Sequence, residues 1–245
     1  MQLRLGLSTD GVPMVERNNK VEKSAEELEK EKEKRRQKRN LRHAHAKGLM
    51  QGILSMLRPG DVVLDCGANV GDVTFPLAET GAFVHAFEPD PYAFGKISER
   101  CADLPNVTLH NAAVGTASGS VRLMRAANFD DNPKGGSVKS TVIAGGRNID
   151  EADGSGIDVT LVDLPDFIRT VVKDHGRIAF LKMDIEGAEL DLLEAMLEQD
   201  LFENIGLTVA ETHEKKFHEL RPRFRALRHA IAGRFPITKV NLDWI

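Results

Sequence analysis

Residues 62–71 read Val62-Val63-Leu64-Asp65-Cys66-Gly67-Ala68-Asn69-Val70-Gly71, and this stretch decides the fold. A short apolar run with two β-branched valines ends in an acid, and two glycines four apart follow at once. Such a run is expected to be a buried parallel strand that turns sharply into a helix, leaving backbone amides free at the turn. Glycine permits the bend and the close approach of a ligand, and a helix N-terminus favours negative or electron-rich groups. The stretch therefore predicts a site for a nucleotide-type cofactor.

Working outward, Leu49, Ile53, Leu54 and Leu57 mark a weakly amphipathic helix that ends at the turn Arg58-Pro59-Gly60. Before it, the segment from Glu22 to Arg39 is dense in charge. Ser24 with Glu27 is a capping box, and Glu26/Lys30 and Glu31/Arg35 are helix-supporting pairs. Residues 1–40 are thus expected to be a charged N-terminal arm or solvated helix, and residues 41–245 one α/β domain.

Downstream, a helix over about 71–80 should be kinked or shortened by Pro76. A strand from Phe83 to Glu88 leads to a helix with Asp90 as N-cap and Pro91 at its first position. Val107 to about Val114 is predicted to be one strand, and Val121 to Met124 a hairpin or edge strand. Residues 126–156, rich in Gly, Asp and Asn, are expected to form a flexible loop or lid. Further strands are predicted at 157–161, 178–184, 206–211 and 240–245, with helices between them; the last helix carries Phe217, Leu220, Phe224, Leu227 and Ile231. This alternation implies a mostly parallel sheet with helices on both faces.

Composition sets limits. Hydrophobic residues make up 41% and charged residues 29% of the 245, enough for a sizeable core. A net charge of −4 excludes a globally basic surface, so no nucleic-acid partner is expected. Two cysteines, Cys66 and Cys101, make neither a disulfide framework nor a zinc site. No signal peptide and no membrane span is expected, and a cytoplasmic location follows as the expectation.

In an open parallel sheet, ligands bind at the carboxyl ends of the strands near the switch point of strand order. Those ends offer Asp65 to Gly71, Glu88, Asn111 to Gly115, Asp184 and Glu186, and Glu211 and His213. Glu88 is placed to accept both ribose hydroxyls of an adenosine cofactor. A dinucleotide fingerprint would need a glycine where Asn69 stands, and the charge of Asp65 would repel a pyrophosphate. The same charge suits a cationic ligand, which favours S-adenosylmethionine over NAD.

Four blocks in order carry a resemblance: Asp65-x-Gly-Ala-Asn-x-Gly71, Ala86-Phe-Glu-Pro-Asp-Pro91, Asn111-Ala-Ala-Val-Gly115 and Leu181-Lys-Met-Asp-Ile-Glu-Gly-Ala-Glu189. Together they resemble the FkbM-type family of S-adenosylmethionine-dependent methyltransferases. The resemblance implies a class I methyltransferase (Rossmann-like) fold and O-methylation of a hydroxyl on a small molecule, sugar or other glycan acceptor. It implies a cofactor set in which Gly67, Ala68, Asn69 and Gly71 lie beneath the methionine part, Asp65 near its amino end and Glu88 at the ribose, with Thr74 and Pro89 also in the set. Asn111, Ala112, Ala113 and Val114 would lie by the adenine, and Asp184 would face the sulfonium.

A hydroxyl acceptor needs a base. His213 is the leading candidate, with Asp184 and Glu186 as alternatives; a divalent site drawing in Glu211 is weighed, but no metal is expected. Lys182 is expected to bridge to a nearby carboxylate. Ser137, Ser140 and Thr141 are candidates for substrate hydroxyl contacts or plain linker residues. The sequence stops after a sixth strand, and a homodimer across that edge is an expectation. The rival readings are a non-catalytic S-adenosylmethionine-binding protein and an NAD-type oxidoreductase.

Overall fold

The computed structural model describes residues 24–125, 129, 131, 133–137, 140–143, 156–214 and 216–244. The start of the expected arm and much of the 126–156 loop lie outside the described residues. The chain divides into two units, Met1–Arg42 and His43–Ile245.

In the first unit, Ser24 and Glu27 close the predicted capping box: Glu27 N–H donates to Ser24 Oγ at 3.2 Å and Ser24 N–H to Glu27 Oε2 at 2.8 Å. They open helix α1 (Ala25–Met56), supported by Lys30–Glu26 at 2.6 Å and Arg35–Glu31 at 3.7 Å. Where sequence reading separated an arm from a following helix, one helix runs through; neither proline nor glycine interrupts residues 25–47 to stop it.

In the second unit the chain runs β1 (Val62–Cys66), α2 (Thr74–Glu79), β2 (Phe83–Phe87), α3 (Pro91–Arg100), β3 (Val107–His110), β4 (Ala113–Gly115) and β5 (Gly119–Leu123). It continues through α4 (Pro133–Ser137), β6 (Ile157–Asp163), α5 (Leu164–His175), β7 (Ile178–Met183), α6 (Glu189–Glu198), β8 (Ile205–Ala210), α7 (Arg221–Arg234) and β9 (Val240–Asn241). Six strands form a parallel sheet in the order β3-β2-β1-β7-β8-β9. The order reverses between β1 and β7, which opens the ligand crevice at their carboxyl ends. This is the mostly parallel, Rossmann-like arrangement that the alternation predicts.

Strand β1 is buried along its whole length, so its side chains feed two cores. Val62, Leu64 and Cys66 pack with Leu164, Ile168, Leu193 and Phe224 from α5, α6 and α7. Val63 packs on the other face with Ile53 and Leu57 of the α1 end, Leu77 and Ile97. Two caps fix helices at their starts: Asp90 accepts from Tyr92 N–H and Asp163 from Asp166 N–H, both at 2.9 Å.

Three expectations are corrected. The strand predicted over 107–114 breaks at Asn111 and Ala112, and β4 leaves the main sheet for a second one, ordered β4-β6-β5. The apolar alternation of Val107 and Leu109 loses phase at that break, and Ala112 N–H turns back onto His110 O at 2.9 Å. Helix α7 begins at Arg221, not at Phe217, because Pro222 is tolerated only in a first turn. The last strand is only Val240–Asn241, parallel to β8; Leu242 and Trp244 turn into the core. Among the described residues no helix is long and apolar enough to cross a membrane.

Candidate active site

The glycine turn after β1 is held from three sides. Gly67 N–H and Ala68 N–H both donate to Phe87 O at 3.0 Å. Asn69 N–H donates to Glu88 Oε2 at 2.8 Å, Val70 N–H to Asn69 Oδ1 at 2.7 Å and Gly71 N–H to Ala68 O at 2.9 Å. Every amide from 67 to 71 therefore has a partner inside the protein, which corrects the expectation that they stand free. An oxyanion cradle of the pyrophosphate-binding kind needs those amides, so the turn argues against a dinucleotide.

Both glycines answer to the chain's own packing. A Cβ on Gly67, at φ +82, would lie 1.8 Å from Asp184 O; one on Gly71, at φ +84, would lie 2.9 Å from Ile97 Cγ1. Gly67 lets the ends of β1 and β7 touch, and Gly71 lets α3 close on the turn.

Asp65 is fully buried. Its Oδ2 accepts from Thr74 Oγ1 at 2.6 Å, and its Oδ1 lies 3.3 Å from Lys182 Nζ on the neighbouring strand. Lys182 Nζ also donates to Gly67 O at 2.7 Å and lies 3.8 Å from Asp184 Oδ2. Burial works against the Lys182 charge, but Asp65 and then Asp184 outweigh it and hold its pKa above the usual lysine value. The carboxylate at the end of β1 is thus answered by the protein's own ammonium, and Lys182 makes the predicted bridge. Beside it, burial raises the Cys66 thiol, so that it stays protonated.

Glu88 is 7% exposed and grips the turn, with Oε2 on Asn69 N–H and Oε1 on Asp90 N–H, both at 2.8 Å. Burial raises its pKa to about 7 despite those two donors. Asn111 Nδ2 reaches back to Glu88 O at 2.8 Å and Pro89 O at 3.3 Å, tying the end of β3 to the end of β2.

A cavity of about 320 Å³ lies at these strand ends, within the range of roughly 300–1,000 Å³ usual for small-molecule sites. Gly67, Ala68, Asn69, Glu88, Pro89, Ala112, Ala113, Val114, Asp184 and Glu186 line it; Asp65, Gly71, Thr74, Asn111 and His213 do not. Those five support the lining residues rather than forming the wall. Lys182, which the sequence reading left outside the cofactor set, lines it too.

Ser137, Ser140 and Thr141 line the opposite side. Thr141 pairs with Met124 in a backbone bridge, and its hydroxyl donates to Glu186 O at 2.8 Å. Ser140 Oγ is buried and has no hydrogen-bond partner among the described residues, which leaves it available to a ligand.

The turn after β7 carries the reactive groups. Glu186 stands at φ +58 and Gly187 at φ +120, where a Cβ would lie 2.2 Å from the Phe217 ring. Glu189, fully buried, holds this turn by accepting from Ile185 N–H at 2.8 Å and Gly187 N–H at 2.9 Å. Its Oε1 also meets His213 Nδ1 at 3.0 Å. His213 Nε2 then faces Glu186 Oε2 at 3.4 Å and Asp184 Oδ1 at 3.9 Å, and Lys216 Nζ donates to Glu186 Oε2 at 2.9 Å.

Burial opposes protonation of His213, but the bond to Glu189 and the charges of Glu189, Glu186 and Asp184 prevail and raise its pKa to about 9. A pKa raised in this way favours the protonated ring and works against a general-base role for His213. Burial, with Asp184 next, raises Glu211 to about 7. The structure brings Asp184, Glu186 and His213 together as expected. It adds Glu189, which closes the fourth block of the resemblance and opens α6 but was given no role from sequence.

Three arginines of α7 are engaged by acids of the same chain: Arg223, Arg228 and Arg234, the last with Asp200 at 2.7 Å. Arg223 pairs with Asp191 and Glu194, and Arg228 with Asp243.

A family model described as "Methyltransferase FkbM domain" matches residues 65–231. The sequence is 29% identical over 186 residues to the 31-O-demethyl-FK506 methyltransferase FkbM of Streptomyces tacrolimicus, covering 64% of this chain and 67% of that one. It is 28% identical over 202 residues to the methyltransferase sdnD of Sordaria araneosa, covering 74% of this chain and 76% of that one. A solved precorrin-6y C5,15-methyltransferase from Geobacter metallireducens GS-15 superposes with a TM-score of 0.38 at 13% identity, over 75% of this chain and 70% of that one.

Proposed function

The chain belongs to the FkbM methyltransferase family, and from that premise we propose that it transfers a methyl group from S-adenosylmethionine to a hydroxyl of a small molecule or sugar. One observation carries the reading: a single cavity joins the glycine turn and Glu88 to Asp184 and Glu186 across the β1/β7 switch point. The residues present fit the cofactor. Glu88 keeps acceptor capacity for ribose hydroxyls on a buried wall, since each oxygen has used one lone pair. Ala112, Ala113 and Val114 leave an apolar slot for a flat ring, and Ser140 Oγ awaits a partner. The amides that a pyrophosphate would need are already taken.

When bound, S-adenosylmethionine supplies an electrophilic methyl carbon on a positive sulfur. The protein's part is to align an acceptor oxygen with that carbon and to exclude water. Asp184, on the cavity wall and 29% exposed at its side chain, is placed to take the acceptor's proton. Lys182 and His213 hold that carboxylate from either side. His213 acts as a charged positioning residue.

Calorimetry with S-adenosylmethionine, S-adenosylhomocysteine and NAD tests the cofactor assignment. Binding of the first two, weakened by Glu88→Ala, is expected; binding of NAD alone would overturn it. Methyl transfer from labelled cofactor to a panel of hydroxylated acceptors tests the acceptor class. Asp184→Asn should keep S-adenosylhomocysteine binding and lose transfer.

A further inference from the structure

We propose that Asp184, Glu186 and His213 form a divalent-cation site at the edge of the cavity, in which the ion holds the acceptor's oxygen. The proposal rests on the methyltransferase reading of the same cavity and names how its acceptor is bound. Sequence reading weighed this cluster and expected no metal; the geometry points the other way.

Among the described residues these three offer one ligand atom each, all within 4.8 Å of one another. His213 Nε2 stands 3.4 Å from Glu186 Oε2 and 3.9 Å from Asp184 Oδ1. Donors about 2.1 Å from one ion stand roughly 3.0–3.4 Å apart on the edges of an octahedron or tetrahedron. Closing separations of 3.4 Å, 3.9 Å and at most 4.8 Å to that range takes relative shifts of no more than about 2 Å.

The layer behind the donors is already built. A ligating histidine usually gives its other ring nitrogen to a carboxylate, which fixes the ring's orientation. Here Glu189, fully buried and pinned by two backbone N–H groups, takes His213 Nδ1 at 3.0 Å and turns Nε2 towards Asp184 and Glu186. The turn at Glu186 and Gly187, both at positive φ, presents the second carboxylate.

Charge also favours an ion. Asp65, Asp184, Glu186, Glu189 and Glu211 gather around Lys182, Lys216 and His213, and Lys182 is shared between Asp65 and Asp184. Three protein donors leave coordination positions open, as in catalytic rather than structural sites. Two carboxylates and one imidazole suit Mn²⁺, Mg²⁺ or Zn²⁺. Asp184 would give the ion one carboxylate oxygen and keep the other to take the acceptor's proton, which leaves more readily because the ion stabilises the alkoxide. The ammonium of Lys216, on Glu186 Oε2, is one competitor that the ion displaces, and the proton on His213 Nε2 is the other: it is released to solvent when the ring ligates.

The test uses the full chain, stripped with a chelator and titrated with Mn²⁺ by calorimetry and electron paramagnetic resonance. One ion per chain is expected, with nitrogen coupling from a directly bound imidazole in the pulsed spectrum. His213→Gln should abolish that coupling, and Lys216→Met, which unmasks Glu186, should tighten Mn²⁺ binding several-fold. A mere ion-pair network would give no ion binding, and the absence of stoichiometric binding by Mn²⁺, Mg²⁺ and Zn²⁺ overturns the proposal. So does Mn²⁺ binding without nitrogen coupling in the unmodified protein, a readout that does not depend on any variant folding. S-adenosylhomocysteine binding on the same stripped sample separates the two claims. If it persists while no ion binds, only the metal site fails; if it is absent while the coupled ion is seen, only the cofactor reading fails.

Discussion

Lys182→Met should unfold this protein more readily than almost any other single change near the cavity, and the reason can be worked from the Asp65–Lys182 pair. Their charged atoms are 3.3 Å apart, with side chains 0% and 4% exposed. At an effective dielectric near 20 their attraction is about 5 kcal/mol, which roughly matches the several kcal/mol that each ion loses on leaving water. The intact pair is therefore close to neutral in net stability. Removing the lysine is not: it leaves Asp65 charged, buried and supported only by the Thr74 hydroxyl, at a cost of about 3–5 kcal/mol.

The partner change tells whether this accounting is right. Asp65→Asn with Lys182→Met removes both charges while keeping the shape and an acceptor for Thr74. The double variant should recover most of the loss, with a coupling energy of about 2–3 kcal/mol. Urea unfolding followed by circular dichroism, with an unchanged m value, measures each corner of the cycle. A loss below about 1 kcal/mol for Lys182→Met, or simple additivity in the double variant, would refute the claim that Lys182 is the answer to Asp65.

Three further outcomes are expected. Gly67→Ala should cost about 2–5 kcal/mol, from the left-handed backbone and the 1.8 Å clash with Asp184 O, whereas Gly95→Ala, with nothing within 4 Å on an exposed turn of α3, should gain about 0.5–1 kcal/mol; paired melts read both. Glu88 has a folded pKa raised to about 7, so it favours the folded state fully below its unfolded value near 4.5 and loses that contribution as pH rises through 7. Urea midpoints between pH 5 and 8 should fall more steeply with pH in the unmodified chain than in Glu88→Gln, while S-adenosylhomocysteine binding tightens over the same range as the carboxylate ionises; equal slopes for the two proteins would defeat the linkage. Asp90→Ala removes both the cap of α3 and the partner of Arg125 Nε at 2.9 Å, and should cost about 3–5 kcal/mol by chemical denaturation; a loss under about 1 kcal/mol would mean that Arg125 does not depend on it.

The local order of the chain was legible because each element carries its own signal. The valine run of β1, the Asp90-Pro91 start of α3, the Ser24–Glu27 box and the apolar β7 all fold as their periodicity and caps require. So was the place of the site, because the parallel order of strands fixes where a crevice must open. What the sequence left undecided was depth. Asp65, Thr74 and Gly71 lie in the same motif as Gly67 and Asn69, and nothing in their spacing separates the wall of the cavity from the layer under it.

By itself, then, the sequence determined the parallel α/β scaffold, the glycine turn, and the acids that end β2 and β7, since these follow from neighbours a few residues apart. The tertiary structure alone decided their protonation and partners. Lys182 reaches Asp65 across 117 positions of sequence, and Glu189 meets His213 across 24, only because β1, β7 and β8 lie side by side. The carboxylates met there raise the pKa of His213 against the effect of burial, and Lys182 makes Asp65 the partner of the protein's own cation; neither effect exists until the strands are paired.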